Sequence, residues 1–199
     1  MSSNNRKYEL TDESLVNERG VTVHRIRALV DIPSALVKAG DLGGYVESIL
    51  LKDGGERVSG SAWVFDTAQV FGSARVSGSA RVSDSAQVSG SARVSDSAQV
   101  SDSAQVEKSW HYLVVGPIGS EGVTATLFRT KNGKHTLNVG CWTGTVGTLS
   151  AEVKRRRKDW TADEATQDVW TAQYKALKAL GKATIARWCR RGFEGDKGQ

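Results

Sequence analysis

Three sets of residues in this chain have the types and spacing to do chemistry. The first is His135 with Cys141, a base and a thiol six residues apart. A catalytic thiolate needs its base within hydrogen-bond reach and an acid to orient that base. Here a strand-like stretch and Gly140 separate the two, and no acidic orienter is evident. The expectation is a small buried thiol beside Trp142 that packs as an apolar side chain. The second set is the run Lys154, Arg155, Arg156, Arg157 and Lys158, with Arg187, Arg190 and Arg191 further on. These cations could form one surface for phosphates or for an acidic protein, and Trp160 and Trp188 could stack on exposed bases. The plainer reading is a solvated helix face. The third set is Asp66, Asp84 and Asp102, spaced by eighteen residues. They cap backbone amides or hold a cation; serine neighbours are poor additional ligands, so capping is expected. There is no phosphate-binding glycine loop and no metal-ligand spacing, so neither cofactor nor metal is expected.

The charge is uneven along the chain. Residues 1–110 hold 12 Lys/Arg against 14 Asp/Glu, whereas residues 111–199 hold 15 against 8. An acidic partner therefore belongs with the C-terminal part. No run approaches the ~18–20 apolar residues that span a bilayer, and the first residues lack a secretory pattern. Two cysteines, Cys141 and Cys189, suit reduced thiols in a cytoplasmic setting better than one disulfide.

The elements that must position these residues start with a repeat. From Val58 to Val106 valine recurs every sixth residue, nine times, and alanine precedes each valine after the first by two residues. A helix needs apolar spacings of three and four, and a hairpin stack needs longer strands, so neither fits. A disordered tract has no reason to keep its valines in register. A triangular coil explains every position of A-(R/Q)-V-S-(G/D)-S. Valine and alanine point inward, the residue between them faces water, and Ser-(Gly/Asp)-Ser turns the corner. Three hexapeptides make an eighteen-residue coil, which stacks Arg57, Arg75 and Arg93 on one side and Gln69, Gln87 and Gln105 on another. Val46, twelve residues before Val58, falls in the same register, and Lys52 interrupts the row.

This pattern resembles the hexapeptide-repeat, left-handed β-helix family, and the left-handed winding comes with that resemblance. The flanking V-H-R-I-R-A-L, K-A-G-D-L-G-G-Y-V-E, V-V-G-P-I-G-S and V-G-C-W-T-G-T are similar to hexapeptide proteins of bacteriophages and prophages. The resemblance implies a phage-associated protein in the host cytoplasm. It also raises the family's acyltransferase activity, which places a general-base histidine on or beside the coil, and its zinc carbonic anhydrases, which need three on the coil. The three histidines here, His24, His111 and His135, all lie outside the repeat. A structural virion component is a further alternative.

The expected fold is mostly β. An N-terminal cap (residues 1–45) carries a strand over 21–29, and a short left-handed parallel β-helix occupies residues 46–110. An α+β domain with basic C-terminal helices follows (residues 111–199). In that domain Tyr112 to Val115 reads as a strand ending at Gly116-Pro117, and Val123–Arg129 pairs with His135–Val139 across Asn132-Gly133. A helix runs from Thr148 or Ser150 to about Lys158. A second starts at the capping sequence Thr161-Ala-Asp-Glu164 and ends near Leu180, and a third follows Gly181 to about Gly192. Trp170, Tyr174, Leu177 and Leu180 mark one apolar face; Ile185, Trp188 and Cys189 mark another. The coil would space the two end domains, and the apolar helix faces favour a homo-oligomer, dimer or trimer. The expected function is non-enzymatic: a phage-type interaction protein that engages an acidic protein surface or nucleic acid, with inhibition of a host or defence component as its role.

Overall fold

The computed structural model describes residues 6–191, excluding the side chains of residues 189–191. Among the described residues the chain is mostly β with two α-helices, and it divides into two compact units. The first comprises residues up to Ser109 together with Thr130–Asn132; the second comprises Trp110–Arg129 and the rest from Gly133. No helix among the described residues is long and apolar enough to cross a membrane.

The first unit opens with an antiparallel pair, β1 (Tyr8–Val16) and β2 (Thr22–Ala28), and β3 (Leu42–Val46) lies antiparallel to β2. Eight two-residue strands follow: β4 (Trp63–Val64), β5 (Gln69–Val70), β6 (Arg75–Val76), β7 (Arg81–Val82), β8 (Gln87–Val88), β9 (Arg93–Val94), β10 (Gln99–Val100) and β11 (Gln105–Val106). Each pairs in parallel with the strand eighteen residues away, in the stacks β4-β7-β10, β6-β9 and β5-β8-β11. The last stack continues through β3, so the hairpin and one side of the coil form a single six-stranded sheet.

The hexapeptide accounts for this geometry atom by atom. Every repeat valine from Val58 to Val106 is fully buried, and the preceding alanines are 0–2% exposed. The β-branch suits the short strand, and alanine leaves room in a narrow interior. Corners close through turns such as Ala80 N–H to Ser77 O (3.3 Å) and Ala86 N–H to Ser83 O (3.2 Å). The second residue of each turn is left-handed: Asp66, Asp84, Asp96 and Asp102 have φ of 52–61°. Gly78 has φ of 67° and sits against the next rung, where an added Cβ would come within 2.8 Å of Asp96 N. That corner accepts no side chain without a shift. The aspartates act as caps: Asp84 N–H donates to Asp66 Oδ2 (3.2 Å), and Asp102 N–H donates to Asp84 Oδ2 (3.1 Å). No group of metal-ligating side chains occurs among the described residues. Beyond the last rung, Thr130 bridges Ala104 and Lys131 N–H donates to Ser103 O (2.8 Å), covering strand edge that would otherwise stand open.

Val46 lies in the valine register and is fully buried, but it pairs with Val70, twenty-four residues on, because six extra residues leave the coil in a loop bridged by Leu50 and Glu56. One expectation about the coil is corrected. Arg57 does not face water: it is 2% exposed, since that loop closes over its side chain. Trp63, in the same outward position of its repeat, is likewise buried, with Tyr8 edge-on at 6.3 Å.

The second unit is an antiparallel sheet of β12 (Tyr112–Ile118), β13 (Val123–Arg129), β14 (His135–Val139) and β15 (Trp142–Gly144), with α1 (Leu149–Arg157) and α2 (Glu164–Arg191). Leu127, Leu137, Val139, Val146, Leu149, Tyr174 and Leu177 form its core. β12 does not end at Gly116-Pro117; it runs on to Ile118, with an irregularity in its pairing. The helix is capped by Asp163 and not by Thr161, since Thr166 N–H donates to Asp163 Oδ1 (3.0 Å). The two predicted helices are one: α2 passes through Gly181. Gly181 is buried where a Cβ would meet Val146 Cγ2 at 2.9 Å, so its lack of a side chain serves packing and not chain termination. Leu180 points away from the core, 47% exposed.

Candidate interaction surface on the C-terminal helices

Segment 149–191 carries eleven Lys/Arg against five Asp/Glu, but its cations divide into two groups. The arginines of the run are held within the unit. Arg155 binds Glu152 with Nε and Nη2 (2.9 and 2.8 Å), and Arg156 Nε donates to the same carboxylate (2.7 Å). These bonds hold the Glu152 carboxyl down at about 2, Arg155 contributing most and Arg156 next. Arg156 also lies 4.0 Å from Glu121 and donates to Cys141 Sγ (3.7 Å). Arg157 joins the helices, donating to Thr171 Oγ1 (2.9 Å) and Asp168 Oδ1 (2.6 Å) on α2.

Lys154 and Lys158 stand exposed, and so does Arg187, whose guanidinium lies over the Trp110 ring at 5.5 Å. The side chains of Arg190, Arg191 and Cys189 lie outside the described residues. The tryptophans are not open platforms. Trp160 packs edge-on to Trp170 (5.3 Å) and stacks near Tyr174 (6.5 Å), and Trp188 Nε1 donates to Trp110 O.

Between α1 and α2 runs an open cleft of about 360 Å³, floored by Leu149, Val153 and Tyr174. Lys154 and Arg157 line it from α1 and Lys175 from α2; Lys178, beside it, donates to Ser150 Oγ (2.8 Å). The floor follows from helical spacing: Leu149 and Val153 are four residues apart, and Tyr174 and Leu177 three. Lys154 and Arg157 thus come together at one cleft, whereas Arg155 turns to Glu152. Lys175 and Lys178 were missed in the sequence because they lie singly. The usable signal was their position directly after Tyr174 and Leu177 on the apolar face.

The other candidate chemistry dissolves. His135 Nε2 accepts the Val146 N–H (3.2 Å), and partial burial lowers its pKa. That nitrogen is occupied as an acceptor, so it does not serve Cys141 as a base. Cys141 is exposed and free, not a buried packing residue as expected, because Gly140 turns it out of the sheet with Arg156 alongside. Comparisons with known protein families, with curated proteins and with solved structures found no match to this chain.

Proposed function

We propose that the chain is a non-enzymatic interaction protein of phage type. In this reading its repeat is a short left-handed parallel β-helix, and its helical pair binds an acidic protein surface in the bacterial host cytoplasm. The consequence of binding is inhibition of a host or defence component. The observation that carries the reading is the cleft between α1 and α2, apolar at its floor and cationic on both walls. A surface of that kind suits a bulky apolar side chain flanked by carboxylates: the apolar group supplies burial and the lysines supply orientation and attraction. A protein partner is favoured over nucleic acid because the tryptophan faces, on which exposed bases would stack, are packed within the unit.

Capture from bacterial lysate tests this, with and without nuclease, using the native chain and a Lys154→Glu, Lys175→Glu double variant. The expected result is nuclease-resistant capture that weakens with salt and is lost in the variant, while its melting temperature holds. Nuclease-sensitive capture would transfer the surface to nucleic acid. Capture that the variant retains would remove the cleft from the interaction.

A further inference from the structure

The six residues that leave the coil between Val46 and Val70 build something a regular coil does not have. Their loop is held by the Leu50–Glu56 bridge and by Leu51 N–H to Gly55 O (2.8 Å). It leans over the arginine side of the coil, where Asp53 pairs with Arg75. Between loop and coil lies a cleft of about 590 Å³, larger than the one on the helices and in the other unit. Insertions in repeat proteins gather on one face, and that face is commonly the one that binds.

The back of the cleft is rigid. Arg57 is 2% exposed, with Nε on Ser48 O (3.0 Å), Nη1 on Gly72 O (2.8 Å) and Nη2 on Ser48 Oγ (2.9 Å). Glu47 lies 3.6 Å from it and accepts the Gly72 N–H (2.6 Å). At the front, Arg75 and Arg93 are paired residues on successive rungs, so their side chains leave the coil about 4.8 Å apart. Four cations line the cleft (Lys52, Arg57, Arg75 and Arg93) against two carboxylates, Glu47 and Asp53. An excess of two positive charges in a concave site concentrates potential for a dianion. Guanidinium forks on adjacent rungs match the oxygens of a tetrahedral oxyanion. On the loop side Leu50 and Leu51 offer an apolar wall.

We propose that this cleft binds a small phosphorylated molecule, with its phosphate between Arg75 and Arg93 and its organic part against Leu50 and Leu51. The site belongs to the first unit and shares no residue with the helical surface proposed above. Calorimetric titration of the full chain at low salt, with inorganic phosphate, adenosine monophosphate and adenosine as probes, decides it. Adenosine monophosphate should bind with Kd below about 1 mM, more tightly than inorganic phosphate, and adenosine should bind least. Arg93→Gln should weaken the monophosphate by at least about tenfold, the size expected of a charge-assisted hydrogen bond, with an unchanged melt showing that the coil is intact. Leu51→Ser should weaken the monophosphate but not inorganic phosphate. The Lys154→Glu, Lys175→Glu variant should titrate as the native chain does. No binding of either phosphate probe, or affinity indifferent to Arg93→Gln, overturns the site. Equal affinity for inorganic phosphate and the monophosphate overturns the organic half of the assignment.

Discussion

Replacing Val82 by alanine measures how firmly the coil interior is packed. Val82 is fully buried and pairs in parallel with Val64 on one side and Val100 on the other. The substitution removes two methyl-sized carbons, worth roughly 1.6 kcal/mol at about 0.8 kcal/mol per buried group. It leaves a void of about 50 Å³, which adds roughly 1.2 kcal/mol at about 24 cal/mol per Å³ where the walls cannot collapse. Collapse is resisted here, because backbone bonds such as Phe65 N–H to Val82 O (2.7 Å) and Ser83 N–H to Val100 O (3.0 Å) fix the rungs on both sides. The expected cost is therefore about 2–3 kcal/mol. Two compact units make a single global transition an unsafe readout. Urea dependence of hydrogen exchange at the rung amides reads the coil by itself. Gln99→Ala, at an exposed position one residue before Val100, is the comparison and should change stability by no more than about 0.5 kcal/mol. Equal effects at the two positions would refute the assignment of valine to the interior.

At the corners, Asp84→Ala should cost about 1–2 kcal/mol, losing the bond to Asp102 N–H and placing alanine at φ of 57°. Asp84→Gly should cost less, since it loses the bond but not the conformation, and thermal melts rank the two. Glu152 is held at about 2, below an ordinary carboxyl near 4.5. Its folded pKa is depressed, so its stabilisation is present above pH 4.5 and is lost as pH falls toward 2. Acid titration of the native chain should accordingly show a loss in that window that Glu152→Gln abolishes. Light scattering should give a dimer or trimer of the 21.4 kDa chain at micromolar concentration; the monomer mass would exclude self-association.

The coil was legible because a strict period leaves one arrangement that buries every valine, and its turns require Gly or Asp where the sequence has them. Its first rung was not, because a multiple of six is preserved whether or not six residues bulge outward. The distance from Val46 to Val58 therefore carried no information about the insertion. Arg57 shows the cost of that ambiguity: its repeat position predicts solvent, and the bulge buries it. In the second unit, strands β13 and β14 were legible from alternation and the Asn132-Gly133 turn. Gly181 misled because a glycine that ends a helix and one that lets a neighbour approach look alike until Val146 is placed against it. The cleft on the helices was half legible: Lys154 and Arg157 fell within an evident run, whereas Lys175 needed the crossing of two helices to become their neighbour.

Five consecutive cations in sequence read as one patch, and folding sorts them by what their partners demand. Arginine's planar fork satisfies two acceptors at once, and all three arginines meet acceptors within the unit: Glu152 twice, then Asp168 with Thr171. Lysine's single charged tip on a flexible stem gains little from such fixed geometry, and Lys154 and Lys158 stand in solvent. The division determines which variants can report on binding. Exchanging Arg155, Arg156 and Arg157 for alanine strips the counter-charges from Glu152 and unties Arg157 from α2. A loss of binding would then be inseparable from a loosened helix pair. Lys154 and Lys175 face the same cleft from opposite helices and hold neither in place, so their charge can be reversed with the packing of Leu149, Val153 and Tyr174 left as it is. The residues that made the run conspicuous are mainly those that build the surface, and the quieter lysines are the ones whose removal tests what it binds.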